Sequence, residues 1–279
     1  MYPLPSSSHT SCHMLSTSLF IASVTLVRLR HRAIAVEQTA PLIDLPPVVK
    51  DLLNEPADEE DEEDSCAACE KKSLANTVKS YDKHLIICGY DKLEHSHIET
   101  HNPFLEQLEA LLKGSKAKVK ITACNHPNSS EDLTDIIVYP DQIAVTLNTT
   151  SQKDIECLSR WLVDSSSPLS LPYTKLPWKR LILVCHHAAR DERCGRRGPQ
   201  VIAELESCLR RRRITPFDIY VRASSHLGGH EFAGVVVVYP ECDWYGYISR
   251  RNVNDLLDCV LEGRRLEGCW RGTAKKNEW

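Results

Sequence analysis

Two stretches of the chain repeat the same order of apolar and polar segments. Each begins with an apolar strand-like run, "HLIICGY" in the first and "RLILVC" in the second. Each ends with apolar residues at the three- and four-residue spacing of a helix that packs by one face. The runs "DIIVYPDQIAVTL" and "GVVVVYPECDWYGYI" lie between them at corresponding positions, about 100 residues apart. The pattern predicts a duplicated α/β unit with helices covering a mixed sheet.

The pattern divides the chain into five segments: an N-terminal extension (1–36), an acidic flexible linker (37–80), a first α/β domain (81–168), a second α/β domain (178–272) and a C-terminal tail (273–279). The extension has no Asp or Glu and carries three arginines, which is typical of a transit peptide, although an unstructured extension has the same features. Its apolar run is too short for a membrane-spanning helix, so we expect no membrane anchor.

Composition and charge narrow the function classes. The formal net charge is -4, so no global basic field indicates nucleic acid as a partner. The 12 cysteines are scattered rather than arranged as a compact secreted framework, which favours reduced thiols in a reducing compartment. We therefore expect a few of these thiols to bind a cofactor.

Comparison of the two halves isolates four candidate ligands in the second: Cys185, Cys194, His226 and His230. Aligned by sequence, the first half has Gly89, His126 and Ser130 at three of these positions and no second loop cysteine. We expect Cys185 at the end of a buried strand and Cys194 in the loop before a helix that begins at Pro199. The glycines at 228 and 229 allow close backbone approach between the two histidines.

Other kinds of site can be compared with this one by the residue spacing that each requires. A phosphatase-type loop needs an arginine six positions after its cysteine, which neither cysteine has, and the thioredoxin-type pair Cys66 and Cys69 lies beside the acidic linker. A Cys–His nucleophile at Cys185 and His226 stays open but leaves two ligands unexplained. Zinc accepts two Cys and two His, although eight residues between the cysteines are atypical of structural zinc. A [2Fe–2S] cluster, which is wider than one ion, suits separated ligand pairs and would be Rieske-like in its ligand set.

The motifs "VCHHAARDERCGRRGP", "SSHLGGHEFAGVVVVYP" and "CWRG" closely resemble the sucrase/ferredoxin-like family, also described as thioredoxin-like [2Fe–2S] ferredoxins. The resemblance covers about residues 81–272. It implies tandem thioredoxin-like domains, the N-terminal one degenerate and the C-terminal one carrying a [2Fe–2S] cluster on Cys185, Cys194, His226 and His230. The chain departs from the family pattern at "CHH" and at the paired arginines, both within residues 185–199, here called the cysteine loop.

The expected function is that of an electron carrier rather than an enzyme. Its donor is expected to be a reductase such as a flavoprotein, and its acceptor is unknown. Histidine ligation would couple electron transfer to proton transfer if a second ring nitrogen faces solvent. A structural zinc or protein-interaction module is the alternative. Four arginines form a candidate docking collar for an acidic donor, with a solvated loop as the alternative: Arg190, Arg193, Arg196 and Arg197.

The chain ends in "KKNEW", and its last two residues, Glu278 and Trp279, resemble a tail read by the cytosolic iron–sulfur assembly machinery. A terminal indole and carboxylate make a compact recognition element. This tail favours a cytoplasmic location, whereas the N-terminal extension favours a mitochondrion or another organelle as the alternative.

Overall fold

A computed structural model describes residues 74–90, 98, 102–164 and 166–274. The predictions for the N-terminal extension, for Cys66 and Cys69, and for Glu278 and Trp279 lie outside the described residues. Within them, no helix has both the length and the apolar character needed to cross a bilayer.

In the described residues, each half contains five strands and two helices in the same order. The first half comprises β1 (Lys83–Ile87), α1 (Pro103–Leu112), β2 (Val119–Ala123), β3 (Thr134–Tyr139), β4 (Ile143–Leu147), α2 (Gln152–Val163) and β5 (Tyr173–Lys175). The second comprises β6 (Arg180–Cys185), α3 (Glu192–Arg211), β7 (Ile219–Ser224), β8 (Val236–Tyr239), β9 (Asp243–Tyr245), α4 (Val253–Leu261) and β10 (Trp270–Thr273), with a 3₁₀ turn at His230–Phe232.

The two sheets have matching topology. The first sheet has the order β2-β1-β3-β4-β5 and the second β7-β6-β8-β9-β10, with one parallel pair in each, β1 with β2 and β6 with β7. The predicted mixed α/β fold is confirmed. A fifth strand follows the last helix of each half, so the first sheet extends past residue 168, where the sequence pattern ends that domain.

The central strands are apolar on both faces. One face of each sheet packs against the helices of its own half, and the opposite face packs against the other half of the molecule. In β1, Leu85 and Ile87 face the helices of the first half, whereas Ile86 lies in a core shared by both halves. In β6, Val184 faces the helices and Leu183 lies in the shared core. Successive residues of one strand therefore pack into different hydrophobic cores.

The two halves meet along an approximate twofold relationship. The N–H of Ser225 donates to the carbonyl of Ala123 over 2.8 Å, and the N–H of Asn125 donates to the carbonyl of Ala223 over 3.2 Å. The rings of Tyr139 and Tyr239, each the last residue of its strand, stack with centroids 4.0 Å apart. The loops that follow β2 and β7 are thereby brought side by side.

Helix α3 begins earlier than the sequence predicts. It starts at Glu192, so Pro199 lies inside the helix and Cys194 lies in its first turn rather than in the preceding loop. The side chain of Asp191 caps the helix by accepting a hydrogen bond from the N–H of Arg193 over 3.1 Å. Pro199 is the eighth residue of the helix and has no N–H to donate to the carbonyl one turn earlier.

Candidate metal centre

The two candidate thiols lie on different elements and are both buried. Cys185 is the last residue of β6, and Cys194 lies in the first turn of α3; their exposed fractions are 1% and 0%. The positive end of the α3 dipole therefore faces the thiol pair and favours negative charge there.

Two glycines allow the start of α3 to pack against the chain that follows β6. A Cβ at Gly198 would come within 2.4 Å of the carbonyl oxygen of Cys185, and one at Gly195 within 2.3 Å of the Ala188 side chain. Only glycine permits such an approach. Gly195 and Gly198 thus set the distance between β6 and α3.

His226 completes a group of three ligands with the two cysteines. The ligand atoms of Cys185, Cys194 and His226 all lie within 4.8 Å of one another. His226 follows β7, and its backbone N–H donates to Nδ1 of the buried His187 over 3.0 Å. The second histidine of "CHH" therefore positions the His226 backbone, a role that the sequence pattern did not indicate.

The two thiols form a hydrogen-bonded pair. The pKa of the Cys185 thiol is lowered well below its usual range because the Cys194 thiol donates a hydrogen bond to its sulfur, with further support from the His226 side chain and from backbone N–H groups. The pKa of Cys194 is raised by the same hydrogen bond and by burial. A metal group held by both sulfurs would bind them as thiolates, the form in which cysteine is a ligand.

The imidazoles also fit a metal group. Nδ1 of His226 is buried and has no hydrogen-bond partner among the described residues, a costly arrangement for a polar atom. The His230 ring lies beside it, with centroids 5.7 Å apart, and is exposed. Two thiols, a neighbouring imidazole and a second imidazole within reach form a donor set suited to iron or zinc.

The structural register corrects the sequence comparison of the halves by one residue. Tyr139 pairs with His84, and Tyr239 pairs with Leu181; counting four residues along each strand makes Cys88, not Gly89, the equivalent of Cys185. The apolar runs align equally well in either register, which is why sequence alone did not separate them.

The first half also contains a hydrogen-bonded thiol pair. Cys88 donates a hydrogen bond to Cys124, which raises the pKa of Cys88 and lowers that of Cys124. The nearby His126, the counterpart of His226, contacts the Tyr220 hydroxyl through Nδ1 at 2.8 Å. Among the described residues, a Cys–Cys–His group within 4.8 Å occurs in the second half alone.

The four arginines of the cysteine loop lie around the start of α3. Arg190, Arg193 and Arg196 are exposed, and Arg197 is half-buried. Arg193 pairs with the capping Asp191 over 3.0 Å, which ties one member of the collar to the helix end.

Comparison with known proteins places these features in a family. The model of the sucrase/ferredoxin-like family matches residues 74–272. A relative named altered inheritance of mitochondria protein 32, from Debaryomyces hansenii, is 35% identical over 165 residues, which cover 49% of this chain and 59% of the relative. The protein of the same name from Clavispora lusitaniae is 35% identical over 98 residues, which cover 34% of this chain and 35% of the relative.

The chain therefore spans between about a third and three fifths of the length of these curated relatives. Among solved structures, the thioredoxin-like [2Fe–2S] ferredoxin of Aquifex aeolicus is 16% identical and superposes with a TM-score of 0.31. That match covers 34% of this chain and 99% of the ferredoxin.

Proposed function

The chain belongs to the sucrase/ferredoxin-like family, and we propose that it is an electron carrier that binds a [2Fe–2S] cluster in its second half. The proposed ligands are two thiolates and two imidazoles: Cys185, Cys194, His226 and His230. The observation that carries the proposal is the convergence of Cys185, Cys194 and His226 within 4.8 Å, with an unpartnered imidazole nitrogen in the group. When bound, such a cluster takes up and releases one electron.

The protein residues supply binding, orientation and shielding. The positive end of the α3 dipole favours negative charge at the thiol pair as a whole, and burial keeps bulk water from both cysteines. His187 fixes the backbone of His226. The same burial disfavours the alternative of a Cys–His nucleophile, because Cys185 is only 1% exposed and offers little access to a substrate carbon.

The ligand set is proposed to be Rieske-like, with neutral imidazoles in place of two thiolates, and such replacement raises the reduction potential. The exposure of His230 supports proton coupling, which requires a histidine ligand whose ring is open to solvent. A midpoint potential that falls with rising pH would support this part of the proposal. A midpoint that stays constant from about pH 6 to about pH 10 would contradict it.

Structural zinc is the competing function, favoured by the compactness of the three-ligand group, which a single ion could bridge. Elemental analysis after iron-replete expression separates the two. A protein that holds the [2Fe–2S] cluster should contain iron and inorganic sulfide in equal molar amounts. One zinc per chain without sulfide would contradict the cluster and favour a structural or interaction module.

The proposed donor is an acidic reductase, such as a flavoprotein, that docks on the arginine collar. The collar surrounds the end of α3 that holds Cys194, so a docked donor would lie close to the cluster. Charges at such a site act chiefly on the rate of association.

Two segments are proposed to determine the subcellular location of the protein: the N-terminal extension and the C-terminal tail. The name of the relatives refers to mitochondria, which favours the mitochondrial alternative over the cytoplasmic one. Cleavage of the native chain near residue 36 inside the organelle would support it. Loss of cluster occupancy on deletion of Trp279, with the domain still folded, would instead support maturation by the cytosolic assembly machinery.

A further inference from the structure

Two cations hold the loop between the two proposed histidine ligands. Nζ of Lys120 donates a hydrogen bond to the carbonyl oxygen of Leu227 over 2.9 Å. The guanidinium of Arg271 donates to the carbonyl oxygen of Gly228, also over 2.9 Å. Two successive carbonyl groups of the segment 226–230, here called the histidine loop, are thus bound by positive side chains.

Lys120 comes from the first half of the molecule. It lies on β2, and the register of the parallel pairs makes it the counterpart of Tyr220 on β7, because Ala123 pairs with Ile87 as Ala223 pairs with Val184. Each of these side chains crosses to the loop of the other half, and Tyr220 contacts His126. The half without the three-ligand group therefore supplies a charged contact beside that group.

Arg271 is fixed by its surroundings. It is 3% exposed, donates to the hydroxyl of Thr77 over 3.0 Å, and lies over the ring of Phe232 with 4.8 Å between guanidinium carbon and centroid. A Cβ at Gly229 would come within 2.4 Å of the guanidinium. The second glycine of "LGGH" is needed both for a φ of +78° and for this close approach.

The charge of Glu231 acts on Arg271, but neither side chain donates a hydrogen bond to a carboxylate at these contacts. Their hydrogen bonds go to backbone carbonyls and to a hydroxyl. Burial lowers the pKa of Lys120 to about 8, and the charge of Cys185 opposes that shift. A buried cation is costly unless negative charge lies close to it. Glu231 provides part of that charge beside Arg271. Thiolates and a reduced cluster would provide more beside both cations.

We propose that Lys120 and Arg271 form a cationic clamp that positions the histidine loop and raises the reduction potential of the cluster. This inference rests on the proposed function. It makes the first half a positioning domain for the redox centre in the second. Reduction makes the centre one unit more negative, and a fixed cation in a partly desolvated site stabilises that state over the oxidised one.

The test compares three substitutions in the full chain. Lys120→Met removes the charge and keeps the apolar stem, Lys120→Arg keeps the charge, and Lys118→Met removes one charge from an exposed position just before the same strand. Midpoint potential, iron per chain and circular dichroism are measured for each. We expect Lys120→Met to shift the midpoint negative, with a tenfold loss in the preference for the reduced state equal to about 59 mV. Lys120→Arg and Lys118→Met should stay close to the wild type.

Each outcome supports or contradicts the cationic clamp. An unchanged potential in a loaded Lys120→Met protein, or a Lys120→Arg protein that behaves like Lys120→Met, would overturn the clamp. If Lys120→Met folds but loses iron, restoration by Lys120→Arg supports the positioning role. If Lys120→Met does not fold, Lys120→Gln replaces it; failure of both to fold would overturn the clamp in favour of a general structural role. A wild-type chain without a cluster would instead refute the proposed function.

Discussion

Gly198 in α3 lies against the carbonyl oxygen of Cys185, where an added Cβ would come within 2.4 Å of that oxygen and 3.0 Å of the His186 Cα. Both neighbours are backbone atoms and cannot rotate away. The contact joins the end of β6 to the start of α3, the two elements that carry the proposed thiolate ligands. The glycine thereby determines how closely Cys194 approaches Cys185.

Gly198→Ala should therefore weaken the site. Overpacking at such a contact costs about 1–3 kcal/mol of folding free energy, and the displaced helix should lower the iron content per chain. Urea unfolding and iron analysis measure the two effects. Gly268→Ala is the matched control, because nothing lies within 4 Å of an added Cβ there. Equal stability and iron content in the two variants would contradict the proposed packing role.

The equivalence of Cys88 and Cys185 gives a second prediction. Cys185→Ala should abolish the visible absorption of the cluster because it removes a ligand. Cys88→Ala should retain that absorption, since it removes a buried thiol of similar environment from the half that lacks the three-ligand group. Absorption spectra normalised to protein, with circular dichroism to verify folding, measure both. Retention of an unchanged spectrum in Cys185→Ala would refute the ligand assignment.

His126 predicts a pH dependence of stability. Burial lowers its pKa from 6.5 to about 4, with Arg222 adding to the shift. The unfolded chain therefore takes up a proton below about pH 6.5 that the folded chain does not, so the free energy of unfolding should fall as the pH decreases toward about 4 and not as it increases. The pKa of the buried His84 is also lowered, chiefly by burial, and adds a fall of the same sign.

His126→Gln cannot titrate and keeps a polar contact for Tyr220. The difference in unfolding free energy between about pH 7.5 and about pH 5.5 should be smaller in this variant than in the wild type. Urea unfolding at the two pH values measures it. Identical pH dependence in the two proteins would show that His126 does not titrate as its burial implies.

Sequence patterns gave the duplication and the ligand candidates because both are local signals. The apolar runs of β1 and β6 mark strands buried on both faces, and the paired cysteines and histidines stand out only in one repeat. The register of β1, the start of α3 and the role of Lys120 were not predictable in this way. They depend on contacts between residues distant in sequence, such as Gly198 with Cys185 and Lys120 with Leu227, which no local pattern encodes.

The arginine collar predicts a salt-dependent rate of reduction. Replacing its four arginines by glutamine should slow reduction by an acidic, NADPH-dependent flavoprotein reductase at low ionic strength and have little effect at high salt. The same replacement at positions 210–213, the far end of α3, changes the net charge equally and serves as the control. Stopped-flow absorption measures the rates. Equal slowing in the two variants would assign the effect to net charge rather than to docking at the collar.

The most direct test of the central claim is electron paramagnetic resonance of the purified full chain after iron-replete expression, recorded before and after reduction with dithionite. A [2Fe–2S] cluster is silent when oxidised and has one unpaired electron when reduced. We therefore predict a signal that appears on reduction and integrates to one spin per cluster, from a protein that is brown when oxidised. A colourless protein that holds zinc and gives no signal in either state would contradict the proposal.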